Sequence, residues 1–460
     1  MESYDVIIIG AGLSGLAAGI RLSQYGKRVR IVDRQRFAGG MNSYYHRGGR
    51  CYDIGLHAMT NLANPNDHSA PLNTLLRQLR IRREELELCP QKRSCVKFPN
   101  AILWFDNDFE TLRESVRQNF PRSMDGFDQL AQMIREDDCF NPSLGYLSAR
   151  KILTEVIPDA MLREMLLCPV MLYGSCWVDD MDFHQFCIVF RSIFFEGLCR
   201  PAYGMERFIA NFTRRLEENG VELSMGTTVQ AIRLENGLVS SVLLDNGEEL
   251  SARNVLSCAG YPETMSMLPS RSLEMPRHGA LAYTETLFEL DMPAAELGMS
   301  ESIQFVSTSP SFHYGPPKNG SVDMDSYVLC MPENFQGVHE TDGGPIVRMS
   351  HLANYHVWKS LDKSAYQTEK ERIMDRQQTV LEETYPTFNA HVKRREMFSP
   401  LTLERYTGRV GGSIYGSPDK KKDGRTSIPN LYLCGSDQGY LGIVGSLLSG
   451  VVIANRYMLR

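Results

Sequence analysis

An α/β fold is predicted by three observations in this sequence. The aliphatic run Val6 to Ile9 falls directly into Gly10-Ala-Gly12-Leu-Ser-Gly15. A second aliphatic strand, Arg28-Val-Arg-Ile-Val, ends at Asp33. Strand, turn and helix text returns near the other end of the chain, where Leu431 to Cys434 runs into a glycine-rich turn and an apolar helix from about Ile443.

The first element reads as a buried strand, because its apolar run is far shorter than a signal-peptide core. Gly10, Gly12 and Gly15 follow it with Gly-x-Gly-x-x-Gly spacing, and Leu13, Leu16, Ala17, Ile20 and Leu22 suit a helix ending near Gly26. Each glycine has a task. Gly10 permits the tight turn, Gly12 lets the backbone approach a pyrophosphate, and Gly15 allows close helix packing. Leu13 and Ser14 then sit at a helix N-terminus whose free N–H groups can face the phosphates. Asp33 lies 18 residues past Gly15, where a carboxylate can accept from ribose hydroxyls, with Arg34 beside it. The segment is therefore a Rossmann-like dinucleotide-binding unit.

Gly39-Gly40 comes six residues after Asp33, and Tyr52-Asp53-Ile54-Gly55-Leu56-His57 follows before any second crossover helix. This layout resembles the FAD-binding domain of the flavin amine oxidase and phytoene desaturase superfamily, in which a Gly-Gly turn follows the ribose-binding acid. The resemblance implies FAD as cofactor, with Gly40, Met41 and Asn42 in the turn against it. Many members carry Arg directly after the glycine pair; Met41 stands there in this chain, so the turn is implied without that side-chain contact.

From Arg200 the spacing of Met205, Phe208, Ile209, Phe212 and Leu216 predicts an amphipathic helix closed by Gly220. Strands around Val229, Val239 to Leu244 and Asn254 to Ser257 follow, with turns at Glu235-Asn236-Gly237 and Asp245-Asn246-Gly247. In the superfamily this middle portion meets the adenine edge through the backbone at the position of Val229. The last piece is expected at the flavin end. There Gly435 opens the turn, Asp437 is expected to accept from ribityl or ribose hydroxyls, and the helix starting at Ile443 and Val444 aims its N–H groups at the flavin N1 and C2 carbonyl.

These three pieces divide the chain into a discontinuous FAD-binding domain, 1–75, 200–270 and 400–460, and a discontinuous α+β substrate-binding domain, 76–199 and 271–399. The stretch FSPLTLERYTGRVGGSIYGSP, Phe398 to Pro418, closely resembles a segment of phytoene desaturases, carotenoid isomerases and retinol saturases, with Ser399 where Thr is usual. His57, after Asp53-x-Gly55, and Tyr415, after Gly411-Gly412, are the polar residues expected nearest the isoalloxazine. A lone His in a strand-like run is also read as a structural hydrogen bonder. Phe183, Phe186, Phe190, Ile193, Phe194 and Phe195 cluster in one segment, which suits the core, an apolar tunnel or a patch dipping into one membrane leaflet.

Composition sets the limits. The chain has 460 residues, 43% of them hydrophobic, and a net charge of −6, which gives no reason to expect nucleic acid. Lys420 to Lys422 reads as a solvated loop. Eleven cysteines without a Cys-x-x-Cys pair or a His cluster at zinc spacing read as reduced thiols with no metal site, and point to the cytoplasm. No stretch is long and apolar enough to span a bilayer, which leaves peripheral contact at the inner face of a membrane as an option.

The function implied by the resemblance is an FAD enzyme that desaturates, saturates or isomerises carbon–carbon bonds of a long apolar lipid, of isoprenoid or carotenoid type. With one glycine motif and no second Rossmann signature, the flavin is expected to exchange electrons with oxygen, a quinone or a diffusible acceptor rather than a tightly built NADPH site. A flavin amine oxidase and a non-catalytic FAD-bound partner protein are the alternatives.

Overall fold

The computed structural model describes residues 3–55, 57–269, 274–338 and 344–459. Leu56 and the expected domain boundary at 270–271 lie outside these residues.

β1 (Ser3–Ile9) has one exposed residue at its start and is otherwise mostly buried, as the aliphatic run requires of a central strand. It pairs in parallel with β2 (Val29–Asp33) on one side and with Glu249–Ser257 on the other. Glu222–Met225 extends the sheet beyond β2, and Leu431–Leu433 extends it beyond Glu249–Ser257, both in parallel. The antiparallel strands Val229–Glu235 and Leu238–Leu244 complete a seven-stranded sheet. Segments far apart in sequence thus meet edge to edge, with the ends of β1, β2 and Leu431–Leu433 leading into the three glycine-rich turns.

α1 (Leu13–Ser23) starts directly after the first of these turns. It packs against the helix Gly442–Ile453 so closely that a Cβ built on Gly450 would lie 2.0 Å from the Ser14 carbonyl oxygen. Only glycine permits that backbone-to-backbone crossing. The amphipathic helix appears as Gly204–Glu218 and buries Met205, Phe208, Ile209, Phe212 and Leu216 against the same layer.

A second seven-stranded sheet runs Val392–Phe398, Ala282–Leu290, Ile346–Ala353, Ser326–Cys330, Ile303–Ser307, Ser94–Phe98, Ala101–Phe105. Strands from both long inserts therefore share one sheet, joined where Ile303–Ser307 pairs in parallel with Ser94–Phe98.

The phenylalanine-rich segment forms the helix Phe183–Phe190 and one π-helical turn, Arg191–Phe195. It is core. Phe186, Phe190 and Ile193 are fully buried, and Phe194 packs edge-on against Phe105 at 5.0 Å. With these side chains buried, the reading of the segment as a patch dipping into a membrane leaflet is not met. Arg191 fits this setting because its guanidinium leaves the cluster to bond the Ile134 and Asp137 carbonyls at the end of the helix Met124–Glu136. Truncating Phe194 to Ala should cost about 3–5 kcal/mol of stability. Urea denaturation checks this, and a loss under about 1 kcal/mol would show that the site is not close-packed. Among the described residues, no helix is long and apolar enough to cross a membrane.

Candidate functional site

The first glycine turn is shaped as an open cradle. Gly10 has φ +104°, which an L side chain rarely adopts, and Gly15 is pinned because a Cβ there would lie 2.0 Å from the Gly10 oxygen. Gly12 differs from both. Its φ is −66°, it begins α1 with no side-chain cap, and a Cβ built on it meets nothing closer than the Gly40 Cα at 4.0 Å. The second turn closes the other side: Gly39 bridges to Gly12, its N–H donates to the Ala11 carbonyl at 2.9 Å, and Gly40 to Asn42 form a short 3-10 turn. Met41 contributes its backbone here, approaching Gly55 at a distance that only the missing Cβ allows. Two backbones thus face each other across a gap with uncapped helix N–H groups at its end. This is what a pyrophosphate needs.

Asp33 stands at the rim of the gap. Its Oδ2 accepts from the Ala11 N–H and its Oδ1 from the Gln35 N–H, both at 2.7 Å. Burial raises its pKa in spite of these two bonds. The two oxygens keep lone pairs that could take ribose hydroxyls. The Thr227 N–H donates to the Asp33 carbonyl at 2.9 Å, so the strand that Val229 opens begins beside the same acid. Arg34 turns away, its Nη2 donating to the Arg405 carbonyl at 2.9 Å. Within the structure it ties the first segment to the last.

At the C-terminal piece, Gly435 has φ +85°, and a Cβ on it would lie 3.1 Å from the Ser14 hydroxyl, so this turn abuts the first one. The last helix starts at Gly442, one residue before Ile443 and Val444, and again no side chain caps it. Asp437 is held by protein groups from three directions. Its Oδ2 accepts from the Arg409 guanidinium and the Tyr261 N–H, both at 3.1 Å, and its Oδ1 from the Ser417 N–H at 2.6 Å. Burial alone would raise its pKa, but Arg409, Lys420 and the Ser417 N–H outweigh that and hold it below the ordinary value. The carboxylate binds the 409–417 loop to the sheet. Its partners lie 20 or more residues away along the chain, so nothing local in the sequence announced them.

The His57 ring packs against two strands of the second sheet, Ala282–Leu290 and Ile346–Ala353. Its Nε2 lies 3.1 Å from the Ser350 Oγ and 3.2 Å from Glu285 Oε2, while Ser350 also donates to that oxygen at 3.0 Å. Arg348 Nε donates to Glu285 Oε1 at 2.7 Å. Burial would raise the Glu285 pKa, yet Arg348 and His57 hold the carboxyl down at about 2, so it stays charged. Arg200, ion-paired with Asp53, donates to the His57 carbonyl at 3.2 Å, and Cys330 donates to it at 3.3 Å. A charged carboxylate at Nε2 favours the tautomer that carries its proton there. Among the described residues the buried Nδ1 has no hydrogen-bond partner. His57 is thus a clamped imidazole with one nitrogen uncommitted.

Tyr415 is held differently. It is a non-glycine residue with φ +57°, and its buried hydroxyl donates to the Leu172 carbonyl. Burial pushes its pKa well above the ordinary value, as it does for Tyr173, Tyr283 and Tyr314 nearby, so these phenols remain neutral. Met41, Ala58, Tyr283, Leu352, Phe398, Ile414 and Tyr415 belong to one apolar cluster. Ala58, the next residue after His57, belongs to this cluster, whereas the His57 ring itself meets Ser350 and Glu285.

The profile of the family described as flavin containing amine oxidoreductase matches residues 13–457. The chain belongs to that family. The glycine cradle, the rim carboxylate and the two uncapped helix starts fit its cofactor, FAD, and the protein is an FAD-dependent oxidoreductase of the phytoene desaturase, carotenoid isomerase and retinol saturase-like branch. A chloroplastic prolycopene isomerase of Daucus carota is 21% identical over 99% of this chain and 80% of its own length. An all-trans-retinol 13,14-reductase of Danio rerio is 21% identical over 99% of this chain and 86% of its own. Among solved structures, an oxidoreductase from Methanosarcina mazei shares the fold, with a TM-score of 0.66, 15% identity, and coverage of 98% of this chain and 100% of the other.

Proposed function

We propose that this family member acts on carbon–carbon double bonds of a long apolar lipid of isoprenoid or carotenoid type, by desaturation, saturation or cis/trans isomerisation. The observation that carries this is the pair of relatives aligned over nearly the whole chain, whose names specify a polyene isomerase and a retinol reductase. The apolar cluster that holds Ala58, Ile414 and Tyr415 supports it, since such a wall suits an apolar substrate.

FAD, when bound through Gly10, Gly12, Leu13, Ser14, Gly15, Asp33, Gly40, Asn42 and Val229, supplies the hydride acceptor or donor. The chain's own residues handle the proton. His57 Nδ1 takes or returns it at the neighbouring carbon, while Glu285 and Ser350 fix Nε2 so that the uncommitted nitrogen keeps one orientation. Apolar side chains exclude water from this step. Tyr415 helps shape the wall, its hydroxyl being spent on Leu172. Desaturation would require oxygen, a quinone or a diffusible acceptor to take up the electrons, and saturation would require a diffusible donor to supply them. The division into FAD-binding and substrate domains is part of this account, as is peripheral contact with a bilayer to collect the lipid, by a surface other than the buried Phe183–Phe195 segment.

His57→Gln should lower kcat by about 10²–10⁴-fold with FAD content unchanged, the range expected for loss of a general acid or base. Turnover within about twofold of the parent, measured on an isoprenoid polyene, would make His57 a purely structural hydrogen bonder.

A further inference from the structure

A group of metal-ligating side chains lies apart from the flavin cradle. The strands Tyr44–Arg47 and Arg50–Asp53 form a hairpin in which His46 sits directly opposite Cys51, so both side chains leave the same face. Glu206, in the first turn of the helix Gly204–Glu218, projects onto that face. His46 Nε2 lies 3.1 Å from Glu206 Oε1, and the nitrogen, the sulfur and a carboxylate oxygen all fall within 4.8 Å of one another.

We propose that His46 Nε2, Cys51 Sγ and the Glu206 carboxylate form a binding site for one Zn²⁺, with the fourth position open to the adjoining cavity and filled by water. Tetrahedral zinc bonds of about 2.0–2.3 Å place ligand atoms roughly 3.3–3.8 Å apart, so the three groups need only small side-chain adjustments to converge. His46 and Glu206 are about half exposed and have room to make them. The donor set is decisive for the metal: one thiolate, one imidazole and one carboxylate suit Zn²⁺ and disfavour Mg²⁺ or Ca²⁺, which take oxygen ligands. Three protein ligands and one open position is the pattern of a zinc that binds or activates a further group rather than one that only braces the fold.

All three residues line a cavity of about 420 Å³ whose other walls include Arg50, Arg200 and Arg348. The open position faces that space. Sequence spacing shows none of this, because Glu206 lies 155 residues past Cys51 and no zinc pattern spans such a gap.

Without metal, burial together with the Glu206 and Asp53 carboxylates pushes the Cys51 thiol up to about 12, so it is protonated at neutral pH. Zinc binding replaces the Cys51 S–H bond with a Zn–S bond and releases the proton to solvent.

The test uses FAD-loaded protein, stripped with a chelator and titrated with zinc chloride in competition with a chromophoric chelator. The expected result is one Zn²⁺ retained per chain. Alkylation mapped by mass spectrometry should show Cys51 protected by zinc, with Cys258 as the internal control, since the other cysteines are buried. Cys51→Ser, His46→Ala and Glu206→Gln should each weaken binding more than about 100-fold, beyond what loss of an outer-shell partner costs, while FAD content stays at the parent level. Failure of the parent to retain Zn²⁺ through gel filtration, unprotected Cys51 in its presence, or equal affinity in parent and variants would overturn the site.

Discussion

Replacing Gly12 by Val should yield folded protein without FAD. The space beside Gly12 is open, since a Cβ there comes no closer than 4.0 Å to the Gly40 Cα, and its φ of −66° suits any residue. The polypeptide therefore tolerates the side chain. A bound pyrophosphate does not, because close approach of phosphate to backbone is what the missing Cβ provides. Gly15→Ala is the contrasting change: its Cβ would lie 2.0 Å from the Gly10 carbonyl oxygen, and the turn itself must deform. Circular dichroism and the flavin released on denaturation separate the two. Gly12→Val should keep its helical signal and release no flavin, whereas Gly15→Ala should lose thermal stability as well. A Gly12→Val protein that retains one FAD per chain would mean that the phosphates lie elsewhere.

Glu285→Gln should be the most costly polar change in the second sheet, at about 3–5 kcal/mol, because it strands the buried Arg348 guanidinium without its counter-charge. The same substitution loosens the clamp on His57, so turnover should fall in the fraction that remains folded. The pH dependence follows from the sign of the shift. Glu285 has its carboxyl held at about 2, below the ordinary carboxylate range, so its stabilising effect is fully present above pH ~4.5 and is lost as pH falls from there towards about 2. The parent should therefore lose stability across that acid window more steeply than Glu285→Gln, which has no proton to take up at this site. Equal slopes in chemical denaturation at several pH values would contradict the assignment of a charged Glu285.

What could be read from the sequence is local in it. Gly10, Gly12, Gly15 and Asp33 were legible because one strand, one turn and one helix carry all of them, and the 3.6-residue spacing from Met205 to Leu216 marked its helix for the same reason. Partners brought together by tertiary pairing were not. His57 could be named as a candidate, but its clamp comes from Glu285, Arg348 and Ser350, more than 220 residues away on antiparallel strands whose register the sequence does not display. Asp437 could be named as a candidate at the end of the chain, but its partner Arg409 could not, since an acid after a glycine turn looks the same whichever groups it meets. The reach of the Arg34 guanidinium to the Arg405 carbonyl is likewise a long-range contact that its neighbours in the sequence do not display. The Phe183–Phe195 run showed its apolarity plainly, and apolarity alone does not distinguish a core helix from a membrane-facing one.

The central claim is that the flavin in this fold works on carbon–carbon bonds of an apolar polyene. Its most direct test is anaerobic incubation of the FAD-loaded protein, in oxidised and in reduced form, with an acyclic isoprenoid polyene in lipid vesicles and separately with a primary amine, following the flavin's visible absorbance and analysing the products by chromatography. The polyene should be desaturated with bleaching of the oxidised flavin, or be saturated or isomerised by the reduced form, while the amine should leave flavin and product profile unchanged. Bleaching by the amine, with the polyene recovered intact from both redox states, would contradict it.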